Sequence, residues 1–248
     1  MHTKQSLIND LANLGIDGKG TTLAHFSYKS IGSVEGGPQT VIDSFLSYMK
    51  EGLMVIPTHT WDNVNANQPY FSVNDTNSCI GIIPELARKT PGAIRSAHPT
   101  HSVAAFGKDA PSFVEGDHLY TTPCPRKGVW GKLYDRDATI MLVGVTLNRD
   151  TFIHGVEEWA DVPDRIAQEK HMLFVRLSDG TLVPTPMSGH LNQVAKNFPR
   201  VETYLRDKGI LKEGKFGEAT VLYHKARALS DAVTELLDEV PDLFGNRS

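Results

Sequence analysis

The sequence predicts an α/β fold in one domain. Its first 60 residues have the pattern of strand, glycine-bearing loop, helix and strand, which together form one βαβ unit. The 248 residues are enough to bury a substantial core, and the contents of 40% hydrophobic and 22% charged residues are typical of a globular protein. No internal repeat, low-complexity tract or linker divides the chain. We therefore expect one domain over residues 1–248.

The elements of the opening unit follow from apolar spacing and from the residues at helix ends. Gly15 and Gly52 each follow a run of apolar residues at helical spacing, and Pro38 stands where the first residue of a helix is expected. The elements predicted for this part are a helix over residues 7–14, a strand over 22–25, a helix over 38–49 and a strand over 53–56.

The rest of the chain continues the alternation of strands and helices. Residues 57–79 are rich in Asn, Pro, Thr and Ser without a clear period, so we expect a long loop near a binding site. The turn residues 178–180 predict a hairpin. The remaining predicted elements are a helix over 82–89, strands over 103–107 and 139–145, a helix from 151, hairpin strands over 171–177 and 181–183, a helix around 201–205, a strand over 219–224 and a closing helix over 229–240.

Charge and cysteine content exclude several classes of protein. The 25 basic and 29 acidic residues give a net charge of −4, and no basic block indicates nucleic acid as the partner. The amino terminus lacks the apolar core of a signal peptide, and no apolar run has membrane-spanning length, so we expect no membrane partner. Cys79 and Cys124 do not form a disulfide framework. We expect a cytoplasmic protein.

The segment from Thr151 to Glu158 follows a predicted buried strand and is the strongest candidate for catalysis. In a helix that begins at Thr151, the spacing of Thr151, His154 and Glu157 places a hydroxyl, an imidazole and a carboxylate on one face. The carboxyl end of a strand is a common position for chemistry in α/β sheets, and a histidine can accept a proton near neutral pH. The alternative is a surface helix whose histidine and glutamates face water.

The polar loop over residues 27–37 is a candidate phosphate site. It carries hydroxyl groups, Lys29 and several glycines just before a predicted helix, and the amino terminus of a helix favours an anion. The segment matches neither the P-loop nor the dinucleotide fingerprint. A tight turn that needs its glycines for backbone reasons remains an equal alternative.

The segment 94–102 is a second cluster of polar residues. Arg95 presents a planar set of donors that suits a phosphate. His98 and His101 also raise a metal hypothesis, but Pro99 disfavours the helix that would align them, and no third ligand follows from spacing. The histidines considered as that third ligand are His59, His118 and His154.

Cys124 lies between two prolines and is a minor candidate nucleophile. A catalytic cysteine needs a base and an oxyanion pocket, and the sequence identifies neither of them. A cysteine between prolines is more typical of a loop.

Several segments, taken in order, resemble the aminoglycoside 3-N-acetyltransferase family. The similarity spans nearly the whole chain, and several ordered blocks are more specific than any single motif. The segments are HFSYKSIGSVEGGPQTVIDSFL from His25, LMVIPTHTW from Leu53, GIIPELARKTPGAIRSAHPTHSVAAFG from Gly81, GKLYDRDATIMLVGV from Gly131, TFIHGVEE from Thr151 and the ending GKFGEATVLYHKARALSDAVTELL.

The resemblance implies one α/β domain with a central mixed β-sheet flanked by helices, different from the commoner GCN5-related acetyltransferase fold. It also implies acetyl-coenzyme A as cosubstrate, a primary amine as acceptor, no metal and a possible homodimer. His154 matches the family's general base and Glu157 the carboxylate near the acceptor amine. In the direct transfer that this implies, Thr151 or a backbone N–H could donate to the developing oxyanion. The residues implied to bind the coenzyme are Ser27, Tyr28, Lys29, Ser30, Gly32, Gly36, Gly37, Arg95, Ser96, His98 and Ser102.

The chain also departs from the family's pattern, which keeps other functions open. Phe152-Ile153 replaces an expected Ser-Leu pair, and Gly128-Val129 replaces an expected Ser-Pro pair. The loop after Trp61 is short and poor in the carboxylates that a polycationic aminoglycoside requires. The alternatives are acetyl transfer to another amine-bearing metabolite or natural product, a metal-dependent hydrolase, and a non-catalytic coenzyme-binding protein.

Overall fold

A computed structural model describes residues 1–191 and 193–245 and has a seven-stranded mixed sheet at its centre. In chain order the strands are β1 (Thr21–Phe26), β2 (Leu53–Pro57), β3 (Tyr70–Ser72), β4 (Ile94–Arg95), β5 (Val103–Phe106), β6 (Thr139–Val143), β7 (His171–Arg176), β8 (Leu182–Met187), β9 (Lys212–Phe216) and β10 (Ala219–Lys225). The order across the central sheet is β4-β5-β2-β1-β6-β10-β9. The middle strands β2, β1 and β6 pair with one another in parallel, and the other described pairings of the central sheet are antiparallel.

Helices cover both faces of the central sheet. They are α1 (Lys4–Asn13), α2 (Tyr28–Ile31), α3 (Pro38–Tyr48), α4 (Ile82–Ala87), α5 (Ala110–Val114), α6 (Val129–Asp135), α7 (Thr151–Trp159), α8 (Glu202–Asp207) and α9 (Ala226–Glu239), with 3₁₀ segments at Asp117–Leu119, Leu147–Arg149 and Val194–Val201. The ends follow local chemistry: the hydroxyl of Thr3 caps α1 in a capping box with Ser6, and Pro38 starts α3. This confirms the predicted mixed α/β fold.

Alternating side chains of the central strands divide the core into two layers. On one face, Leu23, Ile140 and Leu142 pack with α5, α6, α7 and α9. On the other face, Met141 and Val143 pack with α1, α3 and α4. Because neighbouring residues of a strand point to opposite faces, both sides of these strands are buried, as a sheet covered by helices on both faces requires.

The predicted long loop over residues 57–79 contains a strand. Its residues Tyr70–Ser72 form β3, which pairs in parallel with β7, while β7 and β8 form the predicted hairpin around residues 178–180. The result is a second sheet of three strands, in the order β3-β7-β8, with its own small apolar cluster. β3 is absent from the predicted elements, because a strand of three residues has no measurable period.

Other boundaries also differ from the prediction. The strand predicted over 139–145 ends at Val143, because Gly144 has φ +70° and leaves the extended conformation. A Cβ atom at Gly144 would lie 2.4 Å from Cβ of Ser30, so only glycine allows this close approach of the β6 end to α2. The short elements β4, β9, α5 and α6 were not predicted. Within the described residues, no helix is both long and apolar enough to cross a lipid bilayer.

Candidate active site

A cavity of about 980 Å³ opens at the carboxyl ends of the parallel strands β1, β2 and β6. The small sheet closes it from the opposite side through His171, Leu173 and Met187. The polar side chains on its wall include His25, Ser27, His59, Thr100, His101, Asn148, Arg149, Asp150, Thr151, His154, Ser188 and His190. A cavity at this edge of an α/β sheet, with several titratable groups, is the expected position of an active site.

His154 lies on the cavity wall with its ring held on three sides. It is in the first turns of α7, four residues after the N-cap Asp150, whose side chain accepts a hydrogen bond from the backbone N–H of Phe152. The Nδ1 atom of His154 lies 3.6 Å from Oε2 of Glu157. The ring stacks on His190 with centroids 4.2 Å apart and meets the edge of Phe198 at 4.7 Å. Its side chain keeps an exposed fraction of 17%, so a ligand can reach it.

Glu157 is buried behind His154 and does not line the cavity. Its side chain is 1% exposed, and its Oε1 atom accepts a hydrogen bond of 2.6 Å from Nε of Arg165. Arg165 is itself 5% exposed and reaches Asp242 with a second nitrogen at 2.9 Å. The carboxylate therefore lies behind the His154 ring and outside the cavity lining.

Thr151 and Asp150 connect the start of α7 to the cavity and to the core. Thr151 is the first residue of α7 and lines the cavity together with His154, as the predicted face required. Asp150 is completely buried, and its Oδ2 atom lies 2.8 Å from Nε2 of His224 on β10. Neither Asp150 nor His224 is among the residues predicted for the site, although an aspartate directly before a predicted helix is an N-cap signal.

Buried histidines form a continuous layer beside the cavity. His101 contacts three other histidine rings, with centroid distances of 4.7 Å to His59, 5.2 Å to His190 and 6.0 Å to His98. Burial lowers the pKa of each of these four histidines, and the neighbouring imidazoles lower the pKa of His59, His101 and His190 further. They are neutral at pH 7. The cavity therefore has a polar but uncharged wall on this side.

The two ring nitrogens of His98 are both used by the protein. Nδ1 accepts a hydrogen bond of 2.9 Å from the backbone N–H of His101, so Nε2 carries the proton and donates it to the carbonyl of Thr122 at 3.0 Å. His98 is therefore not free to ligate a metal, and His118 does not line the cavity. In the described part of the chain, no group of three or more histidine, cysteine, aspartate or glutamate side chains has the arrangement of a metal site. The metal hypothesis thus has no ligand set here.

Of the loop residues predicted to hold phosphate, Ser27 lines the cavity. Its hydroxyl lies 2.8 Å from the hydroxyl of Ser30, which also donates to the carbonyl of Gly144 at 3.3 Å. Tyr28–Ile31 form α2, and Lys29 is exposed. Gly32 has φ +86° and packs against the Glu218 carboxylate. The other residues of the predicted set in this segment, which are outside the cavity lining, are Tyr28, Lys29, Ser30, Gly32, Gly36 and Gly37.

The guanidinium of Arg95 is occupied by protein oxygens. It donates to the carbonyls of Thr58, Val73 and Thr76 at 3.0, 3.2 and 2.6 Å. Its Nε lies 3.3 Å from each of two hydroxyls, those of Thr58 and Ser102. It also lies over the ring of Phe71, and burial lowers its pKa to about 9. Arg95, which lies on β4, therefore hydrogen-bonds to the chain on both sides of β3 and joins it to the central sheet.

The other residues predicted from this segment are buried as well. The hydroxyl of Ser96 accepts from the backbone N–H of Val103 at 3.1 Å, and that of Ser102 donates to the Thr58 carbonyl at 2.9 Å. Arg95, Ser96, His98 and Ser102 are brought together, but none of them lines the cavity. Their hydrogen bonds stabilise the wall that His59, Thr100 and His101 present to it.

Cys124 is not placed as a nucleophile. The residue is completely buried outside the cavity lining, and burial raises the pKa of its thiol well above the ordinary value. Its backbone N–H donates to Oε2 of Glu158 at 3.0 Å. A buried, protonated thiol without an adjacent base has a structural role.

The four residues that replace the two dipeptides of the family pattern lie in the core. Phe152 and Ile153 are completely buried on the face of α7 that packs against the sheet. Val129 is also completely buried at the start of α6, where its N–H donates to Asp117. Gly128 caps that helix, and none of the four residues lines the cavity. These replacements therefore do not change the chemistry of the cavity wall.

Comparisons with known proteins agree with the fold. The family model described as aminoglycoside 3-N-acetyltransferase matches residues 23–238. The aminoglycoside N(3)-acetyltransferase IV of Salmonella is 26% identical over 243 residues, which cover 97% of this chain and 89% of that protein. Alignments with two further relatives cover 64% and 62% of those proteins.

Solved structures with the same fold include the apoenzyme of aminoglycoside acetyltransferase AAC(3)-IVa. It superposes with a TM-score of 0.85 at 25% identity, over 99% of this chain and 92% of that one. The binary complex of AAC-IIIb with CoASH superposes with a TM-score of 0.83 over 100% and 99% of the chains, and its 23% identity supports the fold alone.

Proposed function

Because this chain belongs to the aminoglycoside 3-N-acetyltransferase family, we propose that it transfers the acetyl group of acetyl-coenzyme A to a primary amine. The acceptor that the family indicates is the 3-amino group of a 2-deoxystreptamine aminoglycoside. The observation that carries the proposal is the position of His154, on the wall of a large cavity with the buried Glu157 carboxylate 3.6 Å behind its Nδ1 atom. This is the arrangement of a general base and the group that orients it.

His154 acts as the general base. An amine is mostly protonated at neutral pH and cannot attack a thioester until it loses a proton. With Nδ1 facing Glu157, the opposite ring nitrogen of His154 removes one proton from the ammonium group and frees the nitrogen lone pair. The amine then attacks the carbonyl carbon, and a tetrahedral intermediate forms. On its collapse the C–S bond breaks, the second proton of the amine nitrogen passes to the leaving thiolate to give the coenzyme thiol, and the first proton stays on the imidazole until the product leaves. A positioned base contributes about 10²–10⁴-fold to the rate.

Glu157 serves the reaction through His154. Its Oε1 atom is held by Arg165, and its Oε2 atom is buried without a hydrogen-bond partner among the described residues, 3.6 Å from Nδ1 of His154. A carboxylate in this position orients the ring and stabilises the imidazolium that forms when the amine proton is taken. We therefore assign Glu157 to orientation of the base, in preference to direct contact with the acceptor.

Thr151 stabilises the charge that develops on the thioester oxygen. It lies one helical turn before His154 on the same wall, so its hydroxyl can donate to an oxygen close to the base. Oxyanion donors are most effective in a cavity from which bulk water is excluded. A backbone N–H at the start of α7 is the alternative donor.

The coenzyme enters beside Ser27, which is the residue of the predicted phosphate loop that reaches the cavity. We keep Ser27, Tyr28, Lys29, Ser30, Gly32, Gly36 and Gly37 as the proposed coenzyme segment. A supporting role for the cavity wall follows from the hydrogen bonds of four residues, because each of them bonds to protein groups. The four residues are Arg95, Ser96, His98 and Ser102. Calorimetric titration of coenzyme A into variants of these four residues tests whether they also contact the coenzyme.

A thiol-release assay tests the reaction. The purified protein receives acetyl-coenzyme A together with gentamicin, kanamycin, neomycin or a panel of simple amines, and free thiol is followed over time. We expect turnover with an aminoglycoside that His154→Ala abolishes, with coenzyme affinity nearly unchanged. His118→Ala serves as a matched control, because His118 lies outside the cavity. If His154→Ala keeps wild-type turnover, the role of His154 is refuted.

A second acceptor class has support from the charge of the cavity. Among the described residues that line it, Asp150 is the only carboxylate, and its Oδ2 atom is already paired with His224. The carboxylates of Asp62, Asp75 and Glu85 are not on the wall, and Glu85 is paired with Arg88 and Lys89. A cation-rich ligand normally requires several free carboxylates. The second candidate is therefore an amine on a less charged metabolite or natural product.

The same assay separates the two acceptors. Turnover on aminoglycosides with KM values that rise with salt supports the polycationic acceptor, because screening weakens attraction between charges. Coenzyme binding without turnover on any aminoglycoside, together with turnover on an uncharged amino compound from the panel, supports the second class.

We also propose a cytoplasmic protein and a homodimer. The unpaired thiols of Cys79 and Cys124 are consistent with a reducing compartment. Light scattering on the purified protein tests the dimer, which predicts twice the monomer mass of 27.3 kDa.

A further inference from the structure

We infer that His190 is a positioning residue for the general base, and that its ring face fixes the plane of the His154 imidazole. The inference rests on the proposed function of His154 and adds a residue that the sequence analysis did not identify. The contact itself is direct: the two rings lie 4.2 Å apart between centroids and are inclined by only 27°.

His190 acts through its ring face, since hydrogen bonding does not explain its position. Its Nε2 atom is buried and has no hydrogen-bond partner among the described residues. An unpaired buried nitrogen is unfavourable, so the contacts of the ring must stabilise this arrangement. Those contacts are the stacked face toward His154 and the edge-on packing with His101 at 5.2 Å.

His190 and Arg165 lie on two segments of backbone that pair with each other. The segment after β8 is joined to residues 165–167 by hydrogen bonds from Ala167 N–H to the carbonyl of Gly189 at 2.9 Å and from Leu191 N–H to the carbonyl of Arg165 at 2.8 Å. From this paired backbone, Arg165 extends to Glu157 and His190 extends to His154.

The two paired segments thus hold two residues of α7, namely Glu157 and His154. Arg165 fixes the Glu157 carboxylate that faces Nδ1 of His154. His190 fixes the plane of the His154 ring, and that plane determines the direction in which Nδ1 points. Rotation of the imidazole about its Cβ–Cγ bond would separate Nδ1 from Oε2 of Glu157 and turn the opposite nitrogen away from the cavity. The stacked ring of His190 and the steeply inclined ring of Phe198, with its centroid 4.7 Å from that of His154, oppose this rotation.

A comparison of His190→Phe with His190→Leu tests the inference. Both replacements are apolar and remove the nitrogens, but only phenylalanine restores a planar ring against His154. We expect His190→Leu to reduce kcat at least tenfold with KM for the coenzyme unchanged, and His190→Phe to stay within threefold of wild type. Equal kcat values for the two variants, or a change confined to KM, would overturn the inference.

A measurement without an acceptor substrate makes the result independent of acceptor identity. In ¹⁵N-histidine-labelled protein with coenzyme A, the ring signal of His154 is assigned by its loss in His154→Ala. We expect the ¹⁵N shifts of the two ring nitrogens to show the same tautomer, protonated at Nδ1, in wild type and His190→Phe, and exchange between the two tautomers in His190→Leu. The same tautomer in all three proteins would refute the stacking role, and circular dichroism confirms that each variant is folded.

The proposed function and this inference fail in different ways. If His154→Ala keeps full turnover, the assignment of the base is wrong. If His154→Ala loses turnover while His190→Leu keeps both wild-type kcat and the wild-type His154 signal, only the role of His190 is wrong.

Discussion

Asp150 and His224 form a completely buried pair beneath the first turn of α7, with Oδ2 of Asp150 2.8 Å from Nε2 of His224. Asp150 uses its other oxygen, Oδ1, to accept from the N–H of Phe152, so one carboxylate caps the catalytic helix and anchors it to β10. The position of Thr151 and His154 relative to the sheet therefore depends on a residue that the proposed reaction does not use chemically.

We expect Asp150→Ala to lower the free energy of unfolding by about 3–5 kcal/mol, because it removes the cap and leaves His224 buried without its partner. Asp150→Asn is the matched control, since its amide oxygen keeps an acceptor for the helix N–H. Urea unfolding at pH 7 measures both variants. Equal stability of Asp150→Ala and wild type would contradict the anchoring role.

Arg165 gives a second prediction, in which activity falls through the orientation of the base. Arg165→Met keeps most of the side-chain volume but leaves the Glu157 carboxylate buried without its 2.6 Å partner. We expect kcat to fall about ten- to hundredfold, which is part of the ~10²–10⁴-fold contribution of a general base. Steady-state kinetics with the best acceptor from the panel provides the measurement.

The control for Arg165 is Asp242→Asn, which removes the other partner of the same guanidinium. Asp242 is 68% exposed, and an exposed partner of an ion pair contributes little. Asp242→Asn should keep kcat within twofold. If both variants lose activity to the same extent, general disruption of the segment explains the effect better than orientation of Glu157.

The sequence was sufficient to predict the main strands and the face of α7. Residues of a buried parallel sheet form continuous apolar runs, and Thr151 and His154 are one turn apart, so these features are local. The βαβ opening was visible for the same reason. Residues 70–72 were not, because β3 exists only through its pairing with β7, about a hundred positions later in the chain.

The groups that support His154 could not be predicted, because each reaches it through tertiary structure. His190 and Arg165 come together by backbone pairing between distant segments, and no period connects them to α7. The case of Arg95 differs. An arginine among polar residues has the same sequence appearance whether it binds a phosphate or backbone carbonyls, and only the path of residues 58–76 around it distinguishes these roles.

Arg95 therefore gives a prediction that separates structural support from phosphate binding. Lysine has one nitrogen and cannot replace the five contacts that the guanidinium makes with protein oxygens. We expect Arg95→Lys to lower the Tm by several degrees, at about 2–4 °C per kcal/mol for a chain of this size. Coenzyme affinity of the folded protein, measured by calorimetry, should change less than threefold. A tenfold loss of affinity with an unchanged Tm would instead support phosphate contact.

The buried histidines predict that stability decreases on acidification. Burial lowers the pKa of His25 to about 4, against 6.5 in the unfolded chain, with Asp150 opposing the shift and His224 adding to it. Between pH 6.5 and 4 the unfolded state binds more protons, so the free energy of unfolding rises with pH across this window. This stabilisation is complete above pH 6.5 and is lost as the pH falls toward 4. The other histidines with a lowered pKa, which act in the same direction, are His59, His98, His101 and His190.

The size of the effect can be checked at one site. His25 alone accounts for a loss on the order of 3 kcal/mol over the full window, at 1.36 kcal/mol for each pKa unit. Urea unfolding at intervals from pH 7 to pH 4.5 gives the slope, which reports the difference in bound protons between the two states. In His25→Asn one titrating group is removed. The number of protons taken up on unfolding, which is obtained from the slope of the unfolding free energy against pH, should therefore decrease by about one between these limits. An unfolding free energy independent of pH in this range would mean that the histidines titrate in the folded protein as they do in the unfolded chain, so that the cavity wall gains charge on acidification.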